Sequence, residues 1–479
     1  MFNGQRTDGI VSSIARLRKK YYRALPHLKS PLEHEVLVNT VSEMAHRQPE
    51  DIHFGVDYAQ RMTETRNRIA RWLKEEIPGL EEETRLRLAT IAAHKTSILA
   101  PFLPLIIDDL VEDIYLDHPS STIYFDHRFM GRVETSIVVD DRLASRLATL
   151  LRLESNNHLD RCNPSLKTNF VIEDIQLRIS ATIPPLSPDG LHLEIRRAKR
   201  QPLTLMDLVK NGTMPLRLAA VLLLAYSSRM NITIVGEPGS GKTTLLRALD
   251  MCSPTSWRKI YIEDAIESRL SPSFHQIRFS VEPTDERNRA FSKSDEIVKT
   301  LHRAPDYVIL GEIQTSEHSQ SLFRSLLAGL RSIQTCHSSS IHALITRWRF
   351  DHNISDSAIA LMDLLIMLRR SAPAHSRRFV SEVMEIRRSY HKGRLLFEGT
   401  STIYEHQSGL RSPADWADDG AMWEMARLYG ATDIEEVLDA IVRLQESVGR
   451  VTPLDTSIGD ILWSNGHPFR FTLHPELLE

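Results

Sequence analysis

The segment that most constrains this chain is residues 230–246, which read MNITIVGEPGSGKTTLL. A short β-branched run, residues 231–235, comes first, and Gly236 to Thr243 then complete the pattern G-x-x-x-x-G-K-T. The order predicts a strand, a glycine-rich loop and a helix, which is the context that separates a phosphate-binding loop from a chance glycine turn. We therefore predict an α/β fold with a nucleoside triphosphate site at the end of this strand.

The predicted loop supplies both backbone and side-chain ligands. Backbone N–H groups of a glycine-rich turn close around phosphate oxygens, and the following helix N-terminus favours negative charge. Lys242 is expected to reach the outer phosphates, and Thr243 to offer its hydroxyl to Mg²⁺. The predicted nucleotide-binding residues are Gly236, Glu237, Pro238, Gly239, Ser240, Gly241, Lys242, Thr243 and Thr244.

Composition is that of an ordinary globular chain. Hydrophobic residues make up 42% and charged residues 25% of the 479 residues, a length that suggests about three domains. The net charge of −3 gives no whole-chain reason to expect a nucleic-acid partner. The longest apolar run, residues 218–226, is shorter than the ~20 residues that span a bilayer, and no signal-peptide pattern is present. Three scattered cysteines argue against disulfides and a zinc site, so we expect a cytoplasmic protein.

Patterning along the chain predicts four regions. Apolar residues at helical spacing, over residues 10–25 and 58–77, indicate a helical N-terminal domain over residues 1–98. Short alternating runs around one helix indicate an α+β domain over residues 99–200. Apolar strands separated by helices indicate an α/β domain over residues 201–410, in which Thr204 is the candidate N-cap of a helix over residues 205–210. Residues 411–479 are predicted to form a helical C-terminal extension.

Four apolar runs of the third region each end in a polar residue or glycine. Since ligands of parallel sheets bind at the carboxyl ends of strands, we expect these ends to converge on the phosphate-binding loop. The runs are residues 231–235, 259–262, 307–310 and 332–336, and they precede Gly236, Glu263, Gly311 with Glu312, and His337.

Acidic residues at two of these ends are candidates for catalysis and metal binding. Glu312 is placed to orient or deprotonate the water that attacks the γ-phosphate, or it is a solvated strand-end residue. Glu263, Asp264 and Glu267 can hold Mg²⁺ through its waters, or they are an acidic first helical turn. His337 can donate a hydrogen bond to the terminal phosphate, although a lone histidine is more often structural.

These motifs, in this order, resemble those of the type II/type IV secretion ATPase superfamily. The similar segments are residues 236–243 (Walker A), 262–267 (aspartate box), 305–312 (Walker B) and 335–340 with Arg347 (histidine box). The resemblance covers about residues 100 to 400. The chain has no paired-cysteine zinc insert, and it carries the patterns LMDLLI at 361–366 and VMEI at 383–386. In these features it is more similar to the archaeal and tight-adherence branch than to the classical type II branch.

The resemblance implies a RecA-like P-loop NTPase domain preceded by an α+β sensor domain and a helical domain. It implies ATP and Mg²⁺ as cofactors, with Glu312 as catalytic carboxylate, Glu263, Asp264 and Glu267 supporting metal and water, and His337 near the γ-phosphate. Arg178 and Arg196 resemble arginines that family members bring from the N-terminal domain onto the nucleotide.

The resemblance also implies partners and a place in the cell. Family members are cytoplasmic homohexamers that power secretion, pilus assembly or archaellum rotation from the inner face of the membrane. We therefore expect a polytopic membrane platform protein as partner. The basic stretch at residues 16–23 is a candidate for contact with that platform or with anionic lipid, or it is a solvated helix face.

Two other functions stay open on the residues alone. A RecA-like nucleic-acid motor should show basic grooves interleaved with aromatic residues, and only residues 16–23 have that character. A weakly hydrolysing nucleotide-binding scaffold is favoured by departures from the family pattern. Gln314 replaces a usual arginine after Walker B. At residues 301–306 both usual arginines are displaced or lost, and residues 328–330 lack the usual histidine.

Overall fold

The computed structural model divides the chain into two compact units, residues 1–200 and 201–479. The helix expected over residues 10–25, the basic stretch at 16–23 and Glu267 lie outside the described residues. The structure describes residues 28–47, 58–128, 130–155, 157–172, 175–198, 202–264, 266, 268, 270–281, 292–371, 377–428, 433–448 and 458–462.

The described part of the first unit begins with three helices, α1 (Pro31–Arg47), α2 (Tyr58–Glu76) and α3 (Glu82–Thr96). Helix α3 packs against both α1 and α2. Leu37 and Leu73 are among the residues of their shared apolar cluster. Helix α2 is the one that apolar spacing predicts over residues 58–77, so that prediction is confirmed.

An antiparallel sheet forms the rest of the first unit. Its strand order is β3-β2-β1-β6-β5-β4, and α5 packs on it around Leu147 and Phe125. Side chains of β5 alternate between buried and half-buried, as the alternating sequence pattern predicts. The elements are α4 (Leu103–Ile107), β1 (Val111–Leu116), β2 (Thr122–His127), β3 (Gly131–Val138), α5 (Asp141–Ser155), β4 (Ser165–Ile172), β5 (Ile175–Thr182) and β6 (His192–Arg197).

The second unit is built on a nine-stranded sheet of order β15-β14-β13-β12-β7-β11-β10-β8-β9. Strands β12, β7, β11, β10, β8 and β9 pair in parallel, whereas β13, β14 and β15 extend the sheet antiparallel. The strands are β7 (Ile232–Gly236), β8 (Arg258–Glu263), β9 (His275–Ser280), β10 (Tyr307–Glu312), β11 (Ser332–Cys336), β12 (Leu364–Arg370), β13 (Arg378–His391), β14 (Arg394–Glu405) and β15 (Gly409–Leu410).

Helices cover both faces of this sheet, because its central strands are apolar on both sides. Ile232 and Ile234 of β7 face one cluster, and Val235 faces the other. Thr204 caps the first helix through a reciprocal hydrogen bond with Asp207, as the sequence predicts. The helices are α6 (Leu205–Lys210), α7 (Leu216–Ser227), α8 (Lys242–Asp250), α9 (Lys293–Lys299), α10 (Ser316–Leu327), α11 (Ile341–Thr346), α12 (Asp356–Ile359), α13 (Ala421–Leu428), α14 (Ile434–Val448) and α15 (Ile458–Leu462).

The helices that follow the sheet share its core. Helix α14 packs against α7, and Leu438, Ile441 and Leu462 belong to the same apolar cluster as the first face of the sheet. Among the helices described here, none is both long enough and apolar enough to cross a bilayer. The predicted α/β class, with helical and α+β parts before the P-loop domain, is confirmed, and the finer domain boundaries stay predictions.

Candidate active site

The phosphate-binding loop connects β7 to α8 and depends on two glycines. A Cβ atom at Gly236 would lie 2.5 Å from the carbonyl oxygen of Leu368 and 2.6 Å from Oγ of Ser240, so no larger residue fits there. Gly241, immediately before α8, has a φ of 98°, which disfavours residues with a Cβ. The loop is therefore fixed against β12 on one side and enters the helix through a left-handed residue.

The loop carries a polar atom that suits a phosphate. Ser240 is 1% exposed, and its Oγ has no hydrogen-bond partner among the described residues. A buried hydroxyl without a partner costs free energy, which an incoming phosphate oxygen would recover. Thr243 is exposed on the first turn of α8, where its hydroxyl is accessible to a metal ion. These residues fit a nucleoside triphosphate with Mg²⁺.

Lys242 is buried against the loop that it closes. Its Nζ atom donates to the carbonyl oxygens of Gly236, at 2.9 Å, and Glu237, at 3.0 Å. It also lies 3.1 Å from Nδ1 of His337. Burial lowers the pKa of Lys242 to about 8. The ammonium is thus held at the mouth of the loop.

Glu312 and His337 meet at the ends of neighbouring strands. Strand β10 ends at Glu312, and His337 directly follows β11, so the parallel pairing of these strands brings the two side chains together. Nε2 of His337 contacts a carboxylate oxygen of Glu312. Burial and then the charge of Lys242 lower the pKa of His337. Nδ1 of His337 also lies 3.2 Å from the carbonyl oxygen of Gly236. The three side chains therefore form a chain of contacts from Lys242 through His337 to Glu312.

The predicted acidic cluster is divided between two structural partners. Glu263 is buried, and its carboxylate accepts hydrogen bonds from the backbone N–H and hydroxyl of Ser268, at 3.0 and 2.6 Å. Asp264 instead forms an ion pair with Lys293, with 3.0 Å between Nζ and Oδ1. No cluster of three or more metal-binding side chains lies together in the part of the chain that the structure describes. Mg²⁺ needs fewer, since it keeps several waters and takes phosphate oxygens as ligands.

Lys293 is a residue of this site that the sequence did not reveal. Its side chain is 2% exposed, and its ammonium also donates to the carbonyl oxygen of Glu312, at 2.9 Å. It therefore ties the end of β8, through Asp264, to the end of β10. One lysine at the start of a polar helix produces no pattern, and only its burial distinguishes it.

Arg178 and Arg196 lie side by side on paired strands of the first unit, β5 and β6. Nε of Arg196 donates to Oδ1 of Asp113 at 2.7 Å. Their predicted approach to a nucleotide stays a prediction.

Comparison with known proteins agrees with the motifs of this site. The family described as Type II/IV secretion system protein matches residues 89–405, more than half of the chain. An uncharacterized Methanocaldococcus jannaschii protein is 31% identical over 221 residues, which is 44% of this chain and 30% of that protein. The type IV secretion system protein PtlH of Bordetella pertussis is 27% identical over 259 residues, or 50% of this chain and 75% of PtlH.

Similarity to solved structures is weaker. The Legionella pneumophila ATPase DotB is 16% identical, with a TM-score of 0.43, over 59% of this chain and 78% of DotB. The chain spans 30% and 44% of the lengths of two Methanocaldococcus jannaschii relatives. The family match, together with the Walker A loop and the contacts of Lys242, His337 and Glu312, leads to one conclusion. The chain belongs to the type II/IV secretion system protein family.

Proposed function

We propose that this protein is an ATP-hydrolysing motor of a type II/type IV secretion machine or of an archaeal pilus- or archaellum-like filament. The observation that carries the proposal is the contact chain of Lys242, His337 and Glu312, at the carboxyl ends of the adjacent parallel strands β7, β11 and β10. A cation that binds phosphate oxygens and a carboxylate that orients water, both at the mouth of a phosphate-binding loop, are groups that assist phosphoryl transfer to water.

Each side chain has a chemical task in this mechanism. Lys242 exchanges its hydrogen bonds to the loop carbonyls for hydrogen bonds to the outer phosphate oxygens. The hydroxyl of Ser240 donates a hydrogen bond to a phosphate oxygen. Glu312 orients the attacking water and accepts its proton, while His337 donates a hydrogen bond beside the terminal phosphate. Thr243 would hold Mg²⁺, which neutralises phosphate charge, and Asp264 and Glu263 would support its waters.

The complete site requires a second element. Arg178 and Arg196 belong to the first unit. In the proposed mechanism this unit closes over a nucleotide, so that the two arginines contact it. Guanidinium groups stabilise charge that develops in the transition state. We propose that this closure takes place in a homohexameric ring. The ring would lie in the cytoplasm at the inner face of the membrane, where it would transmit its conformational change to a polytopic platform protein.

Assembly and hydrolysis can be tested together on the full chain. We expect Mg²⁺-dependent ATP hydrolysis whose specific activity rises steeply with protein concentration, and light scattering that shows a hexamer with a non-hydrolysable ATP analogue. A protein that is monomeric in every nucleotide state and fully active would contradict the ring. A protein that binds ATP but shows no turnover at any concentration would support the scaffold alternative instead.

A further inference from the structure

The hairpin of β12 and β13 brings arginines to the side of the phosphate-binding loop away from Glu312 and His337. In the sheet, β7 lies between β11 and β12, so the loop has the histidine strand on one side and β12 on the other. Leu368 pairs with Gly236, the last residue of β7. The next residues of β12 therefore extend alongside the loop, and Arg370 is paired there with Arg378 of β13.

Alternation along β12 separates two neighbouring arginines. Leu368 and Arg370 are two residues apart and share one face of the strand, whereas Arg369 faces the opposite side. A Cβ atom at Gly241 would lie 3.7 Å from Cδ2 of Leu368, and one at Gly239 would lie 3.7 Å from Nη1 of Arg370. Arg369 instead donates to the carbonyl oxygen of Ser339, at 3.4 Å. Of the two, Arg370 is the one whose guanidinium reaches the loop.

The surroundings of Arg370 leave its charge available. Arg370 is exposed, and it forms no ion pair with any residue in the described ranges. Between the two glycines that Arg370 and Arg378 approach lies Ser240, with its buried and unpartnered Oγ. Two independent features, a hydroxyl inside the loop and a guanidinium beside it, can thus both donate hydrogen bonds to an anion bound at the same place.

We infer that Arg370 is a nucleotide-binding residue that donates to the phosphate chain opposite Lys242. The inference rests on the proposed ATP site and adds a second cationic side to it. A planar guanidinium forms paired, charge-assisted hydrogen bonds with phosphate, and each such contact contributes more than a neutral one. Removal of a hydrogen bond to a charged group costs ~1.5–3 kcal/mol, which corresponds to about 10- to 100-fold in affinity.

The test is equilibrium binding of ATP, ADP and adenosine to the full chain, measured by calorimetry with Mg²⁺. Arg370→Gln should weaken ATP and ADP binding about 10- to 100-fold and change adenosine binding little, because adenosine has no phosphate. Arg370→Lys should restore part of the affinity. Arg369→Gln is the matched control, since it removes the same charge one residue away on the opposite face, and it should bind ATP like the unmodified chain.

The outcomes separate this inference from the proposed function. If the unmodified chain binds ATP and Lys242→Ala abolishes binding, while Arg370→Gln binds as tightly as Arg369→Gln, the inference is wrong and the ATP site stands. If Arg370→Gln weakens the binding of adenosine as much as that of ATP, the residue affects the shape of the loop rather than contacting phosphate, and the inference is again wrong. If the unmodified chain binds no nucleotide, the proposed function fails first. Arg370 is exposed, so circular dichroism should show the variant folded.

Discussion

The buried ammonium of Lys293 lies 3.0 Å from Oδ1 of Asp264, an ion pair that joins the ends of two central strands in the candidate active site. Lys293→Met should leave a carboxylate without this cation and without a hydrogen-bond donor to the Glu312 carbonyl. Breaking a buried pair by removing one partner typically costs about 3–5 kcal/mol in the free energy of unfolding. Urea unfolding of both proteins measures this cost.

The same variant separates a positioning role from a structural one. We expect Lys293→Met to lower kcat while the ATP affinity changes little, because Lys293 contacts the strand ends and not the loop. Lys293→Arg should recover most of the turnover by keeping the charge. Equal loss of kcat in the Met and Arg variants, with stability restored only by Arg, would contradict a positioning role.

Replacement of Glu312 should uncouple binding from hydrolysis. Glu312→Gln keeps the shape of the side chain but removes the proton acceptor, so turnover should fall by about 10²-fold or more while ATP still binds. Lys242→Ala should lose both, since it removes the cation of the loop. Steady-state ATPase rates with calorimetric binding measure the two effects. Unchanged turnover in Glu312→Gln would refute its assignment as the catalytic carboxylate.

ATP affinity should depend on pH through Lys242. Burial lowers the pKa of this amine to about 8, so the charged form is lost as the pH rises through that value. ATP binding should therefore weaken above about pH 8, and binding near that pH should take up protons. Titrations between pH 6.5 and 9.5, in buffers of different ionisation enthalpy, measure both. In Lys242→Arg the charge persists, and the pH dependence should flatten.

A buried carboxylate away from the site should make stability depend on pH. Glu385 is fully buried beside the C-terminal helix α13 and accepts the backbone N–H of Met422 at 3.1 Å. Burial raises its pKa from 4.5 to about 7. Glu385 thus binds its proton more tightly in the folded than in the unfolded state. The stabilisation that results is fully present below pH 4.5 and is lost as the pH rises through about 7.

Glu385→Gln removes this titration while keeping the size of the side chain. Relative to the unmodified protein, the variant should gain about 3 kcal/mol of stability as the pH rises from 4.5 to above 7. Urea unfolding of both proteins at several pH values tests this. A stability difference that stays constant with pH would show that Glu385 does not titrate in this range.

Residues 1–30 should carry the membrane-docking function, since residues 16–23 are strongly basic and contain two tyrosines. Their removal should leave basal ATPase nearly intact, because all the candidate site residues lie at or beyond Arg178. It should abolish recruitment to membranes that contain the platform protein. Recruitment of the full chain should weaken as salt rises, because exposed charges are screened over ~8 Å at physiological ionic strength. Equal recruitment of truncated and full-length protein would place docking elsewhere.

The sequence by itself determined the features that local chemistry controls. The phosphate-binding loop follows from its glycine spacing, and the cap of α6 follows from Thr204 and Asp207 being three residues apart. Buried parallel strands are continuous apolar runs, so β7, β10 and β11 were predictable, and with them the meeting of Glu312 and His337 at neighbouring strand ends. Strand β9 was missed because His275–Ser280 is a half-buried edge segment with only two apolar residues.

Only the tertiary structure decided which partners the charged side chains around the loop contact. Glu263 and Asp264 are adjacent in sequence, yet one binds Ser268 and the other Lys293, since their side chains point to different neighbours. Lys293 and Arg370 reach the site from segments with no motif. Burial and pairing across long stretches of chain depend on how the strands are ordered in the sheet, and that order is set by packing of the whole domain rather than by local sequence.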